Sequence, residues 1–397
     1  MAAPCMPVFS WGANNYGQLG LGHNKDHLLP ESLKTYPESV KNIIGGGGHI
    51  VFQTEDGEIH VCGSNNKGQL GLGHKSDINK LVRVPELGPL KQIACGWNHT
   101  LAITERDELL CWGSNTHSQL THRESVVTKP RKVEVKEFEG LTFLAVAGGL
   151  RHTLAVSTDG RLWTWGAGKK GQLGWVDNTK RVPHQYNRPV HISVKEDDLE
   201  VRFVQVAAGA YHSAALSDMG VVYMWGCNKW SQLAQPKLPQ PVPTPQRLDP
   251  ALFDGFRIKA LHSGWTHTLA VTEGDSVYTW GRNDYGQLGR PAVKTMTNGS
   301  AGCEKGTSPT AAAAPDCCHV PTEISILHNA IQIACGAEHN LAITRDHKLL
   351  AWGWNEHGMC ADGTKTNVLL PKQVQGLDGR VAAKVGVGAG HCFAVCH

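Results

Sequence analysis

Apolar and polar residues alternate along both arms of the segment that runs from His152 to Trp165. Asp159 and Gly160 lie between the two arms. Alternation with a period of two residues is typical of a half-buried β-strand, and an Asp-Gly pair between two such runs is typical of a tight turn. The pattern therefore predicts an antiparallel hairpin.

The same hairpin pattern recurs along the chain. It is found again in the segments 99–112, 212–225, 267–280 and 339–352. The intervening sequence carries a loop and then one or two short apolar runs, such as Leu90 to Cys95. About four strands in each repeat of roughly 50 residues correspond to one blade of a β-propeller.

Two short signatures mark these repeats. A Trp-Gly or Cys-Gly pair followed by a Gly-Gln-Leu-Gly-like loop occurs seven times, beginning at Trp11, Cys62, Trp112, Trp165, Trp225, Trp280 and Trp352. A Gly-x-x-His turn also occurs seven times, ending at His49, His99, His152, His212, His267, His339 and His391. Each His precedes the next marker by 13 residues, whereas the marker-to-His interval varies from 37 to 59. The hairpin is thus the rigid part, and insertions fall elsewhere.

The two ends of the chain complement each other. Residues 8–11 match the second arm of a hairpin, and residues 391–397 match a first arm. A ring in which the N-terminal strand completes the last blade leaves no unpaired edge at that point. The sequence predicts an all-β, seven-bladed β-propeller with four-stranded blades as a single domain over 1–397, carrying a low-complexity loop insertion at 291–321.

The repeated residues have structural explanations. We expect Gln18 and its equivalents to satisfy loop backbone groups, and Leu19 and its equivalents to fill the space between blades. Each of the seven histidines is expected to bond to backbone at the start of its strand. Spread around a wide ring, they would lie too far apart to bind one metal ion, so no metal site is predicted.

Composition and motifs exclude several classes of protein. The 38 basic and 35 acidic residues give a net charge of +3, without the basic excess of a nucleic-acid surface. No stretch of 18 apolar residues predicts insertion into a membrane. The 12 cysteines form no C-x-x-C pair, which favours a reduced compartment, the cytoplasm and also the nucleus. Phosphate-binding and hydrolase motifs are missing, so neither a cofactor nor covalent catalysis is expected.

The paired signatures resemble the RCC1 family over roughly residues 7 to 397. Within it, the sequence is most similar to a secretion-linked branch of guanine nucleotide exchange factors. The segments that carry this closer similarity are 11–20, 263–267, 280–289 and 352–360. The resemblance implies a surface that binds a small GTPase and stabilises its nucleotide-free state, with an exocyst component as another contact and a monomer as the working form.

One position departs from the family's founding exchanger. The resemblance implies an acidic residue directly before the third such His, whereas this chain has Arg151. Reversing a charge at a binding hot spot should cost several kcal/mol. We therefore expect poor activity on Ran, the founder's GTPase.

Residues that differ between repeats are the candidates for binding a partner. The Gly-x-x-His turns are expected to project from one face near the axis, and Trp, Tyr and Arg are favoured interface anchors. The predicted partner-binding residues are Trp97, Asn98, Arg151, Tyr211, Trp265, Thr266, Glu338 and His117. The tryptophans could instead pack between blades. The loop 117–124 could be an altered contact loop, or its sequence could have drifted neutrally.

Three candidate functions follow from these features of the chain. The first is a regulator of a small GTPase, and the second is a scaffold or adaptor propeller without exchange activity. The third, an enzyme in the central channel, would need converging acids and a metal, which the sequence does not offer.

Overall fold

The fixed 13-residue segments form the predicted hairpins. In one of them Thr153 lies opposite Trp165 and Val156 lies opposite Leu162 in an antiparallel ladder. The computed structural model describes residues 6–236, 238, 240–290 and 317–397. In this part of the chain each hairpin supplies the two middle strands of a four-stranded antiparallel sheet.

Seven such sheets form the blades. Blade 1 contains β3 (Val40–Gly45), β4 (His49–Thr54), β5 (Ile59–Gly63) and β6 (Ile78–Arg83). Blade 2 contains β7 (Leu90–Cys95), β8 (His99–Thr104), β9 (Leu109–Ser114) and β10 (Val126–Lys132). Blade 3 contains β11 (Phe143–Gly148), β12 (His152–Ser157), β13 (Leu162–Ala167) and β14 (Gln185–Ile192). Blade 4 contains β17 (Phe203–Ala208), β18 (His212–Ser217), β19 (Val222–Gly226) and β20 (Val242–Arg247).

The remaining blades complete the ring. Blade 5 contains β21 (Ile258–Ser263), β22 (His267–Thr272), β23 (Val277–Arg282) and β24 (Cys317–Glu323). Blade 6 contains β25 (Gln332–Cys335), β26 (His339–Ile343), β27 (Leu349–Gly353) and β28 (Val368–Gln373). Blade 7 contains β29 (Ala382–Val387), β30 (His391–Cys396), β1 (Val8–Gly12) and β2 (His27–Ser32). A small hairpin, β15 (Lys195–Glu196) and β16 (Leu199–Glu200), lies between blades 3 and 4, and short 3-10 helices cover 136–138, 250–253 and 325–327.

Blade 7 confirms the predicted ring closure. Its strands β1 and β30 come from opposite ends of the chain and pair from Val8 with Val395 to Gly12 with His391. The chain is therefore an all-β propeller of seven blades, closed by its N-terminal strand.

The core lies between neighbouring blades. Six tryptophans that begin the repeat markers are almost completely buried, namely Trp11, Trp112, Trp165, Trp225, Trp280 and Trp352. The loop leucines Leu19, Leu70 and Leu173 are fully buried as well, which agrees with their predicted role. Burying a large side chain of this kind stabilises a fold by about 1.5–3 kcal/mol.

The predicted insertion needs one correction. Residues 291–316 lie outside the described part of the chain. Residues 317–321, which the sequence assigned to the insertion, instead begin the outermost strand of blade 5, and Cys318 lies opposite Gly281 there. Pro321 hid this strand from the sequence pattern, although proline is tolerated on an edge strand.

Candidate interaction face

The Gly-x-x-His turns and the Gly-Gln-Leu-Gly-like loops lie at the same end of the ring, which we call the turn face. In blade 3, Ala167 at the start of the loop donates its backbone N–H to the carbonyl of Arg151 in the turn at 2.8 Å. Between them, Gly166 has a φ of +104°, and a Cβ atom there would come within 2.7 Å of that same carbonyl oxygen. Only glycine allows this close approach.

Each turn begins with a glycine because the imidazole of its histidine packs against it. A Cβ atom on Gly149 would lie 2.2 Å from Cε1 of His152, and one on Gly96 would lie 2.0 Å from Cε1 of His99. The spacing in Gly-x-x-His therefore places the ring of the histidine over a position with no side chain.

The histidine side chains join neighbouring blades. Nε2 of His49 lies 3.0 Å from Oγ1 of Thr100, and Nε2 of His152 lies 3.0 Å from Oγ of Ser213. Equivalent contacts run from His99 to Thr153, His212 to Thr268, His267 to Asn340 and His339 to Cys392. The expectation of backbone partners was therefore wrong for these six residues, because the residue after the next histidine along the chain offers a side-chain partner instead.

The seventh histidine lacks this contact. Ile50 follows His49 at the position where the other blades offer a hydroxyl, amide or thiol, and neither ring nitrogen of His391 has a hydrogen-bond partner among the described residues. Burial lowers the pKa of all seven imidazoles to between about 3 and about 4. They are accordingly neutral structural groups at physiological pH.

The loop glutamines act as predicted. The side-chain Oε1 of Gln172 accepts the backbone N–H of Lys170 at 2.9 Å. Its main-chain carbonyl also accepts from Nε1 of Trp225 at 2.9 Å and from Oγ of Ser213 at 2.8 Å. One loop residue therefore satisfies its own loop and binds the following blade.

Trp97 and Trp265 meet at the centre of the turn face. They belong to blades 2 and 5, and their ring centroids lie 4.9 Å apart with an interplanar angle of 57°. Behind them a cavity of about 80 Å³ lies on the axis, lined largely by turn glycines together with Cys95 and Cys335. Since one water needs roughly 10–15 Å³ of such space, this volume is enough for about five to eight water molecules.

The backbone of the turns forms a nearly continuous ring around this pair. Trp97 accepts from Gly47 at 3.0 Å and donates to Gly149 at 3.3 Å. Trp265 accepts from Ala210 at 3.1 Å and donates to Ala337 at 2.8 Å. The tryptophans thus sit on a backbone that the neighbouring blades hold in place, and their rings contact each other. The ring of Trp97 also packs on the turn of blade 1, where a Cβ atom on Gly47 would lie 2.5 Å from its Cδ2.

The other predicted partner-binding residues differ in exposure. Arg151 and Tyr211 are exposed on the turn face, whereas Asn98, Thr266 and His117 are partly buried there. Burial is the main cause that lowers the pKa of His117, and the charge of Arg151 lowers it further. Blades 2 and 3 therefore bring these two side chains into one electrostatic neighbourhood.

Glu338 does not project from the face as expected. Its side chain is only 7% exposed. Oγ1 of Thr266 donates to it at 2.7 Å, and Nε2 of Gln287 donates at 2.7 Å. Burial raises the pKa of Glu338 to about 7 against the opposing effect of these donors and of Arg282. The structure thus assigns Glu338 to the support of the face.

Sequence reasoning missed a cluster beside Glu338. The guanidinium of Arg282 stacks on Trp230 at 4.3 Å and on Tyr285 at 4.6 Å, and it pairs with the carboxylate of Asp284. Trp230 lies in the loop of blade 4, whereas Arg282 ends β23 of blade 5 and Tyr285 lies in the loop that follows it. Part of the signal was available, since Arg282 stands at a position of the loop signature that carries Ala, Ser, Cys or Trp in the other repeats. Trp230 and Tyr285 share a position that carries Tyr, Lys or His elsewhere.

The described part of the chain contains neither of two features that would point to another class of protein. No group of three or more His, Cys, Asp or Glu side chains is placed there to bind a metal ion. Nor does it include a helix that is long and apolar enough to cross a membrane.

Seven blades joined through Gly-x-x-His turns and loop carbonyls define a propeller built from RCC1 repeats. The RCC1-like domain model matches residues 129–394, and the model of the regulator of chromosome condensation (RCC1) repeat matches residues 7–53 and 56–103. The chain therefore belongs to the RCC1 family.

Several known proteins are similar over nearly the whole chain. The secretion-regulating guanine nucleotide exchange factor of Mus musculus is 40% identical over 98% of this chain and 83% of its own length. The ultraviolet-B receptor UVR8 of Arabidopsis thaliana is 32% identical over 93% of this chain and 78% of its own. The crystal structure of Prp20p from Saccharomyces cerevisiae superposes with a TM-score of 0.82 at 20% identity, covering 100% of this chain and 92% of that one.

Proposed function

We propose that this protein is a guanine nucleotide exchange factor for a small GTPase and that it binds the GTPase through the turn face. The observation that carries the proposal is the 40% identity, over 98% of the chain, to a secretion-regulating exchange factor. A role in secretion, with an exocyst component as a further contact, is proposed on the same ground. Eight cysteines, those whose side chains the structure describes, are all unpaired, and this supports a cytoplasmic or nuclear location.

The geometry of the turn face suits exchange without covalent chemistry. An exchange factor must bind the nucleotide-free GTPase more tightly than the loaded form, because only this difference moves the equilibrium. Trp97, Trp265 and Tyr211 offer aromatic anchors on a rigid backbone, and rigid aromatic residues near the centre of a contact dominate many interfaces. Such a surface can hold a GTPase in one conformation.

A panel of purified small GTPases, each loaded with a fluorescent guanine nucleotide, tests the proposal. Catalytic amounts of the protein are expected to accelerate nucleotide release from one of them by about tenfold or more. Trp265→Ala should reduce this effect strongly, because it removes an anchor but leaves the hydrogen-bonded turn backbone in place. Circular dichroism checks that the variant is folded.

The matched control lies at the opposite end of the ring, which we call the hairpin face because the hairpin turns lie there. Arg106 and Arg345 are exposed in those turns, and the double variant R106E/R345E should exchange nucleotide normally. Stable binding of a GTPase without faster release would favour the scaffold alternative. A panel in which no GTPase is bound or accelerated would overturn the proposal.

A further inference from the structure

Unpaired cations collect on one arc of the turn face. They lie in the turns and loops of blades 1 to 4 and are Lys67, Arg151, Lys169, Lys170 and Lys229. Within the described residues, none of the five has a carboxylate at salt-bridge distance. Lys229 has an aromatic neighbour only, since its Nζ lies 4.8 Å from the ring centre of Trp230.

Cations near the hairpin face are arranged differently. Lys91 pairs with Asp107 at 2.6 Å, and Lys132 pairs with Glu108 at 2.7 Å. Further pairs on that side join Arg202 to Asp218, Lys259 to Asp275, Lys348 to Asp346 and Lys384 to Glu55. The two ends of the ring thus carry similar cations. Near the hairpin face six of them have carboxylate partners, whereas Arg106 and Arg345 have none at salt-bridge distance among the described residues.

Neighbouring contacts hold the arc together. The carbonyl of Arg151 anchors the loop that carries Lys169 and Lys170, through the backbone N–H of Ala167. On the other side, Nε2 of Gln69 lies 3.4 Å from Oδ1 of Asn98, which links the loop of Lys67 to the turn of blade 2. The positive charges therefore sit on one supported surface and not on independent chain segments.

The arc ends at blades 5 to 7. Arg282 in blade 5 is compensated by Asp284 and lies 3.8 Å from the carboxylate of Glu338. At the junction of blades 6 and 7, Nδ1 of His357 lies 2.7 Å from Oδ2 of Asp26. Lys25 and Lys365, in the loops of blades 7 and 6, also lack a carboxylate at salt-bridge distance among the described residues, so the two halves of the turn face differ in degree: carboxylates accompany cations mainly in blades 5 to 7.

We propose that this basic arc docks an acidic protein surface. Cations without local partners create a positive potential that attracts a complementary surface, speeds its association and fixes its orientation. The inference rests on the proposed function in one respect, because it assigns the surface chemistry of the partner that binds the same face.

A protein fits this arc better than a nucleic acid. The net charge of the chain is only +3, so the positive potential is local, whereas a nucleic-acid surface usually belongs to a strongly basic domain. On its axial side the arc borders Trp97, Trp265 and Tyr211, and such residues are typical anchors of protein interfaces. The arrangement combines an aromatic centre with a charged rim.

The first experiment does not depend on exchange activity. Binding of a fluorescein-labelled oligoglutamate peptide is measured at low ionic strength by fluorescence anisotropy for the wild type, K169E/K170E and the hairpin-face variant R106E/R345E. Both variants change the net charge equally. We expect K169E/K170E to weaken binding by about tenfold or more, and R106E/R345E to change it by about twofold or less.

Two results would overturn the inference. One is equal loss of peptide binding in both variants, since the effect would then follow total charge and not the arc. The other is tighter binding of duplex DNA than of the peptide through the same lysines. If a GTPase responds to the protein, K169E/K170E should also slow its association and weaken the salt dependence. Failure of every GTPase would overturn the proposed function, yet the peptide result would still decide the chemistry of the arc.

Discussion

Trp11 in the first strand donates its indole N–H to the main-chain carbonyl of Met359 at 2.8 Å, across 348 residues of sequence. Trp112 makes the equivalent bond to the carbonyl of Gln69 at 3.0 Å between blades 1 and 2. Met359 replaces the usual glutamine, but the bond survives because its acceptor belongs to the main chain. Ring closure therefore uses the same contact as five other blade junctions. At the junction of blades 7 and 1 the thiol of Cys62 takes the place of the indole, 3.6 Å from the carbonyl of Gln18.

Replacing Trp11 with phenylalanine tests the importance of this contact for closure. The variant leaves the buried carbonyl of Met359 without its indole donor and removes part of a fully buried side chain. We expect the free energy of unfolding to fall by about 2–4 kcal/mol. Denaturant titration measures the change, and Tyr16→Phe at an exposed position is the control. An effect no larger than that of the control would show that closure does not depend on this bond.

The fold could be predicted because its determinants are local and repeated. The constant distance from each histidine to the next marker defines a hairpin, and the two half-hairpins at residues 8–11 and 391–397 define closure. What could not be predicted is where each repeated side chain finds its partner. The histidines bond to residues 51 to 73 positions away, and a linear pattern does not show which blade supplies the acceptor.

The candidate site was only partly predictable. Position within the turn placed Trp97 and Trp265 near the axis, but their mutual contact joins blades 2 and 5, and no sequence spacing reveals such a contact. Glu338 occupies the same turn position as the exposed Arg151 and Tyr211 yet is buried, because Thr266 and Gln287 surround it with donors. Exposure in a propeller turn thus depends on the neighbouring loop as well as on the residue itself.

The loop at Thr121 carries backbone strain that glycine would relieve. Thr121 has a φ of +64° where the equivalent residue of blade 3, Gly174, has +80°. A β-branched residue with a positive φ costs about 1–2 kcal/mol in backbone strain. Glycine relieves this strain, but its larger loss of backbone entropy on folding offsets about 0.5–1 kcal/mol of the relief. We therefore expect Thr121→Gly to raise the free energy of unfolding by about 0.5–1 kcal/mol.

Thermal and denaturant unfolding measure this change. The reverse substitution at the matched position, Gly174→Thr, should destabilise the protein, since its Cβ atom would lie 2.9 Å from Nε1 of Trp225. Destabilisation by Thr121→Gly would mean that the threonine side chain contributes more than its strain, for example through its contact with the carbonyl of Leu120 at 2.5 Å.

The buried histidines predict a loss of stability in acid. Their folded-state pKa values of about 3 to 4 lie below the value of 6.5 for an exposed histidine. Between these values the unfolded chain binds more protons than the folded protein, so stability is complete above pH 6.5 and falls as the pH falls through this window. At pH 5 each such histidine lowers the free energy of unfolding by about 2 kcal/mol.

Unfolding free energies at a series of pH values test this. His391→Gln should reduce the number of protons taken up on unfolding by about one, because it removes a group that becomes protonated only in the unfolded chain. His391 is the suitable choice because neither of its ring nitrogens has a hydrogen-bond partner among the described residues. His347→Gln, at an exposed hairpin turn, is the matched control. A stability that does not vary between pH 7 and pH 5 would contradict the burial of neutral imidazoles.

The contribution of Glu338 to the free energy of unfolding should depend on pH in the opposite direction. Burial raises its folded-state pKa from 4.5 to about 7, so the folded protein binds this proton more tightly than the unfolded chain. Its contribution to stability is present below pH 4.5 and is lost as the pH rises towards 7. The difference in unfolding free energy between wild type and Glu338→Gln should therefore decrease from pH 5 to pH 7 and then level off.

The same measurement on Glu356→Gln is the control for this group, because Glu356 is an exposed glutamate in the loop of blade 6. A difference between wild type and Glu338→Gln that stays constant across the range would show that the carboxyl titrates as an exposed group does. It would also remove the argument that Thr266 and Gln287 hold a buried side chain.

Arg151 leads to a prediction about the choice of GTPase. The resemblance to the founding exchanger implies an acid at this turn position, and Arg151 reverses its charge on the exposed surface. Repulsion or an unpaired charge at a hot spot should cost several kcal/mol, so the protein is expected to leave nucleotide release from Ran essentially unaccelerated. Fluorescent nucleotide release from loaded Ran measures this directly, with an established Ran exchanger as the positive control. Arg151→Asp should raise any residual activity on Ran, whereas R106E/R345E, which changes more charge on the hairpin face, should not. Fast release by the wild-type protein would show that this turn does not determine which GTPase is recognised.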